Sequence, residues 1–149
     1  MSDPSATLEQ ARARGREMTL SYAGAILPAE ANSVWQAKRA TLIDIRTQAE
    51  WDYVGRVPGA TEIEWNHYPS GRNPKFAEKL LEAVPDKSAP VLFLCRSGGR
   101  SNAAAALAAS LGYTQAFNVL EGFEGDLDAN SKRNTVGGWR KAGLPWSQS

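Results

Sequence analysis

Cys95 lies in the segment Cys95-Arg96-Ser97-Gly98-Gly99-Arg100-Ser101, between the apolar run Val91-Leu92-Phe93-Leu94 and an alanine-rich stretch closed by Gly112. One thiol, two guanidiniums, two hydroxyls and two adjacent glycines are the parts of a nucleophile set in an anion cradle. Sulfur attacks as the thiolate, and an ordinary thiol is only a few per cent ionised at neutral pH. Arg96 and Arg100 favour the anion by charge. Gly98 and Gly99 let the backbone curl so that its N–H groups converge, because glycine tolerates positive φ and carries no side chain to block a ligand. A helix starting behind the loop adds its free amides and its dipole. Most lone cysteines are small buried hydrophobes, but an inert cysteine has no use for these neighbours. The segment therefore predicts Cys95 as a thiolate nucleophile, with Arg96, Ser97, Gly98, Gly99, Arg100 and Ser101 binding the substrate.

The surrounding elements must deliver that thiol. Residues 91–94 follow Asp86-Lys87-Ser88-Ala89-Pro90 as a short continuous apolar run, the pattern of a strand covered on both faces of a parallel sheet. Such a strand brings Cys95 to the carboxyl edge, where open α/β sheets hold their ligands. Ser101 or Asn102 is expected to cap a helix from Ala103 to Ser110, with Gly112 ending it. Pro28 opens a helix running to about Lys38. Thr41 to Arg46 reads as a strand with Asp44 near its carboxyl end. Thr47 and Glu50 have capping-box spacing for a short helix, Val57-Pro58-Gly59-Ala60 is a turn, and Thr61 to Glu64 a further strand. Residues 1–17 form a polar N-terminal arm, either a loose tail or an amphipathic helix, and 18–149 a single domain.

Composition excludes several functions. A chain of 149 residues, 42% hydrophobic, suits one core rather than two. A net charge of +1 supplies no field for nucleic acid or an acidic membrane surface, and no apolar run is long enough to span a bilayer. Met18 to Ala29 imitates a signal peptide, but Ser21, Tyr22 and Gly24 interrupt it. One cysteine and one histidine, His67, preclude an internal disulfide or resolving thiol and argue against a zinc site. Sulfur chemistry at Cys95 must then be completed by an outside nucleophile, and the cysteine usage fits a reducing, cytoplasmic setting.

Leu42-Ile43-Asp44-Ile45-Arg46, then Glu50-Trp51, then Gly55-Arg56-Val57-Pro58-Gly59-Ala60 closely resembles the first signature of the rhodanese sulfurtransferases, with arginine where histidine is commoner. The loop from Cys95 to Ser101 is similar to that family's active-site loop. Val119-Leu120-Glu121-Gly122-Phe123, with Trp139 and Gly143-Leu144-Pro145, is similar to its closing segment. The resemblance spans about residues 26–146. It implies a three-layer α/β domain with a central, mainly parallel five-stranded sheet and helices on both faces. It implies a thiosulfate sulfurtransferase in which Cys95 carries a persulfide, without metal or organic cofactor. The donor is then a small sulfur-containing anion, and the acceptor a low-molecular-weight thiol, cyanide or a protein thiol. Asp44 and Arg46 become structural supports rather than catalysts.

Two other functions remain open at this point. A phosphatase or arsenate reductase of the related type has a loop one residue longer than the four residues separating Cys95 from Arg100. A persulfide relay or binding module dedicated to one protein partner needs the same cysteine. The segment Glu124 to Gly138 departs from the family as an insertion, expected as a solvated loop or else as a lid over the Cys95 pocket. It lacks the glycine and distal glutamate of a calcium loop. His67 is expected to be solvent-exposed. Trp65 and Tyr68 are expected in packing, with pocket lining as the lesser alternative, and Trp35, Trp51, Trp139 and Trp146 in the core or its covering.

Overall fold

The computed structural model describes residues 3–149, so the first two residues of the N-terminal arm lie outside the described residues. In chain order it contains α1 (Pro4–Glu17), β1 (Gly24–Ile26), α2 (Pro28–Gln36), β2 (Thr41–Asp44), α3 (Gln48–Tyr53) and β3 (Thr61–Glu62). There follow β4 (Asn66–His67), β5 (Gly71–Arg72), α4 (Phe76–Ala83), β6 (Val91–Leu94), α5 (Gly99–Ser110) and β7 (Ala116–Val119).

Five strands form one sheet in the order β1-β7-β6-β2-β3, with every pair parallel. Parallel strands need crossovers that place helices on the faces, so the inner strands are apolar on both sides. All four residues of β6 and of β7 are buried. Ile43, Ile45 and Phe93 pack on one side with Phe76 and Leu80 of α4 and the alanines of α5. Leu42, Leu92, Leu94 and Phe117 pack on the other with Leu8 and Ala11 of α1 and Ala31 and Val34 of α2. This is the three-layer α/β architecture that the sequence motifs imply, with a fully parallel sheet.

Residues 4–17 take the helical form. Asp3 caps α1 by accepting the Ala6 N–H at 3.2 Å, and Pro4 stands in its first turn, where a missing N–H costs nothing. The helix lies unusually close to β1. A Cβ on Gly24 would sit 2.3 Å from the Ala11 carbonyl oxygen, and one on Gly15 would sit 2.7 Å from the Gly24 Cα. Two glycines therefore let backbone meet backbone at this crossing. Arg14 fastens it by donating to the Ala25 carbonyl at 2.6 Å and pairing with Glu30. No described helix is long and apolar enough to cross a membrane.

Register brings the functional motifs together. β2 pairs β6 with Asp44 opposite Leu94, and the Ile45 N–H donates to the Leu94 carbonyl at 2.9 Å. The residues just beyond both strands, Ile45 and Cys95, thus emerge side by side at the same carboxyl edge, with Arg46 following Ile45.

Candidate active site

Cys95 is 1% exposed at the end of β6, and the backbone then turns back over it. Its Sγ accepts the Gly98 N–H at 3.2 Å and the Ser101 N–H at 3.3 Å, and lies 3.2 Å from the Ser101 Oγ. The amides belong to the first turn of α5, so the sulfur sits at the positive end of a 12-residue helix. That helix starts earlier than the sequence predicts. Gly98, at φ 108°, takes the cap position and Gly99 the first helical one, which corrects the assignment of the cap to Ser101 or Asn102. Only glycine makes that left-handed turn cheaply. Ser101 is released from capping to face the sulfur, and Asn102 instead accepts the Tyr22 hydroxyl.

Asn118 of β7 holds the loop from the side. Its Oδ1 accepts the Ser101 hydroxyl at 2.5 Å, and its Nδ2 donates to the Gly98 carbonyl at 3.3 Å. A hydroxyl has one proton. While Ser101 donates it to Asn118, the Cys95 S–H is the proton available for the Ser101 Oγ contact. When the thiol ionises, the same hydroxyl can rotate to serve the sulfur.

The two arginines of the loop take different positions. Arg100 is committed to Glu50 of α3 through a two-pronged pair, Nη1 to Oε1 at 2.7 Å and Nη2 to Oε2 at 2.9 Å. Arg96 is exposed and makes no ion pair among the described residues. Glu50 also closes the capping box of α3 by accepting the Thr47 N–H at 3.0 Å. Burial opposes its ionisation, but the hydrogen bonds from Arg100 and Thr47 and the charges of Arg100 and Arg46 prevail. They hold its carboxyl at about 2. A carboxylate with a lowered pKa stabilises the fold above its ordinary value of 4.5, and that stabilisation is lost as pH falls through 2. Glu50→Gln is accordingly expected to lower stability by up to about 3 kcal/mol at neutral pH and to flatten acid unfolding between these limits. Urea titrations across that pH range check it; parallel wild-type and variant curves would contradict it.

A buried ion pair stands under the loop. Asp44 and Arg46 are both 0% exposed, with Nη2 to Oδ2 at 2.7 Å and Nε to Oδ1 at 3.0 Å. Arg46 also donates to the Gly55 carbonyl at 2.8 Å and lies 4.0 Å over the Phe123 ring. Phe123 in turn donates its N–H to the Cys95 carbonyl at 2.8 Å, and Glu124 donates to the Arg96 carbonyl at 2.9 Å. Gly122, at φ 65°, permits this clamp, because a Cβ there would be 2.5 Å from the Arg96 carbonyl. The three motifs of the sequence thus meet as strand ends, loop and clamp.

Beside the loop opens a cavity of about 730 Å³, walled by Arg96, Arg100 and Glu50 on one side and by His67, Tyr68 and Arg72 of the β4–β5 hairpin on the other. His67 is exposed as expected, though its Nδ1 meets Glu64 at 2.9 Å. Trp65 packs edge-on against Phe76, whereas Tyr68 is 78% exposed and lines the cavity, the lesser of its two expected places rather than packing. The hairpin turns its tip outward, so the ring at residue 68 has no core to enter. Trp51 and Trp139 are buried, while Trp146 is 36% exposed and stacks under Arg140. Of the insertion, only Glu124 reaches the cavity wall. Asp128 gathers the rest by accepting from the Asn130 and Lys132 N–H groups and the Thr135 hydroxyl. Among the described residues, no three His, Cys, Asp or Glu side chains converge on a metal position.

Known proteins share this architecture. The chain is 38% identical over 109 residues to the uncharacterized protein RC0915 of Rickettsia conorii, covering 72% of this chain and 82% of that one. It is 29% identical to the thiosulfate sulfurtransferase GlpE of Actinobacillus succinogenes, covering 80% and 86%. The crystal structure of Rv0390 from M. tuberculosis superposes with a TM-score of 0.77 at 42% identity, over 86% of this chain and 99% of that one. The model of the rhodanese-like domain matches residues 27–129, from the start of α2 through the Cys95 loop and its clamp into the insertion. With sheet order, loop and clamp all in agreement with that match, the chain belongs to the rhodanese-like domain family.

Proposed function

We propose that this protein is a sulfurtransferase that takes sulfane sulfur from thiosulfate, or another sulfane donor, onto Cys95 and passes it to a thiol or cyanide. The observation that carries this reading is the convergence of the Gly98 and Ser101 N–H groups on the Cys95 Sγ, at the N-terminus of α5. The Cys95 thiolate attacks the outer sulfur of thiosulfate. A Cys95 S–S bond forms, the sulfur–sulfur bond of thiosulfate breaks, and its electron pair departs with sulfite. Backbone donors and helix dipole stabilise the charge on the sulfur without having to reorganise. Arg96, free of ion pairs among the described residues, receives the sulfonate oxygens during approach, while Arg100 and Glu50 fix the loop. Asp44 and Arg46 support that loop through Phe123. Once the Cys95 proton has left to solvent, the Ser101 hydroxyl turns its own proton from Asn118 Oδ1 towards the sulfur.

The closeness of GlpE, whose name states thiosulfate sulfurtransferase, supports the choice of donor. Intact-protein mass spectrometry tests it. Mixing with thiosulfate is expected to add one sulfur atom to the chain, and cyanide to remove it. An unchanged mass, with Cys95 still open to alkylation, would overturn thiosulfate as the donor.

A further inference from the structure

We infer that the cavity beside the Cys95 loop seats a thiol carrying carboxylate groups, selected by Arg72 together with Arg96; this rests on the sulfurtransferase reading and names its acceptor. Size comes first. Thiosulfate and cyanide have only a handful of heavy atoms, whereas about 730 Å³ falls in the range of sites for larger organic ligands. The donor leaves most of that space unused.

Charge decides what fills it. Glu50 and Arg100 neutralise each other in their two-pronged pair. His67 faces Glu64. That leaves Arg72, Arg96 and Glu124 as the lining charges outside ion pairs among the described residues, two cations against one anion. A carboxylate-bearing molecule matches this balance and a cationic one opposes it. Arg72 is also held in place. Its guanidinium lies 3.5 Å from the centre of the Trp65 ring, and Trp65 is itself wedged against Phe76. A stacked guanidinium keeps its edge donors free for a carboxylate and loses less freedom on binding than a loose side chain. Tyr68 and Pro69 at the hairpin tip supply the apolar wall for the carbon frame of the ligand.

In the transfer step, the acceptor thiolate bonds to the terminal, protonated sulfur of the Cys95 persulfide. The bond from that sulfur to Sγ breaks, its electron pair returns to Cys95 as thiolate, and the new persulfide keeps the proton. Arg72 takes no part in the bond changes. It is a specificity residue that raises the local concentration of anionic thiols.

The experiment compares wild type with Arg72→Gln and Arg72→Lys in two assays. In the first, Cys95 loaded from thiosulfate is discharged in single turnovers by mercaptosuccinate and by 2-mercaptoethanol. The ratio of the two rates is expected to fall about tenfold in Arg72→Gln and by less than about threefold in Arg72→Lys. In the second, resting Cys95 is alkylated by iodoacetate and by iodoacetamide, and the anionic-to-neutral ratio is expected to fall in the same order. Ratios within twofold of wild type in Arg72→Gln overturn the inference, and so does an equal fall in both variants, which would mark hairpin shape rather than charge. Failure to load from thiosulfate would strike the sulfurtransferase reading alone, since the alkylation ratio judges the cavity without any sulfur transfer.

Discussion

Replacing Cys95 with serine is expected to reduce formation of thiocyanate from thiosulfate and cyanide by at least on the order of 10³-fold, to the uncatalysed background. The chain has one cysteine, so no second thiol can take over. The introduced hydroxyl would keep the Gly98 and Ser101 N–H groups as partners, so the loop loses little. It would still fail as a nucleophile, because an alcohol far from its pKa needs a general base and the nearest polar neighbours are another hydroxyl and an amide. The stability change is expected to stay near 1 kcal/mol, since polar partners are retained and no cavity of consequence opens. Circular dichroism and urea unfolding check the fold, and the mass shift with thiosulfate checks the chemistry. Residual turnover within tenfold of wild type would remove Cys95 from the mechanism.

Short-range chemistry made much of this site legible in the sequence. The loop from Cys95 to Ser101 carries its thiol, glycines and arginines in one heptad, and Thr47 and Glu50 announce their capping box by spacing alone. Long-range partnership was hidden. That Glu50 also holds Arg100, fifty positions away, follows from the carboxyl ends of β2 and β6 meeting, and register between parallel strands leaves no local signature. Asn118 was missed for a related reason. Buried Ala116-Phe117-Asn118-Val119 turns alternate residues to opposite faces, and the one polar side chain points at the loop. A lone asparagine inside an apolar run was the available clue. The strand β1 has three residues, too few for any periodicity. The strand from Thr61 stops at Glu62 rather than Glu64: Ile63 still donates to the Asp44 carbonyl in register, but Trp65 donates to the Ile45 carbonyl, one residue on where a regular parallel ladder advances two. The β4–β5 hairpin, with two residues per strand, gave no alternation to read, so the cavity wall it forms went unseen.

Breaking the Asp44–Arg46 pair is expected to have the largest effect on stability. Each charge is fully buried, and removing one strands the other away from water. Asp44→Asn leaves the guanidinium without its hydrogen-bonded counter-charge, held by an amide, the Gly55 carbonyl and the Phe123 face. Arg46→Met leaves the carboxylate with the backbone N–H of residue 46. Either change is expected to cost about 3–5 kcal/mol, a large share of the roughly 5–15 kcal/mol that a domain possesses. The pair itself is worth less than those losses suggest, because desolvating both charges offsets much of their attraction, and the Arg46 Nη1 has no partner at all. The double variant Asp44→Asn with Arg46→Met, which buries no charge, is therefore expected to be more stable than the sum of the two single losses predicts, by about 2 kcal/mol or more. Urea unfolding of the wild type, both single variants and the double variant measures this coupling. The same series separates support from catalysis. Below its unfolding transition, the double variant is expected to alkylate Cys95 more slowly than wild type, because Phe123 loses the guanidinium that steadies its N–H bond to the Cys95 carbonyl. Additive losses together with an unaltered alkylation rate would mean that the pair neither couples nor reaches the loop.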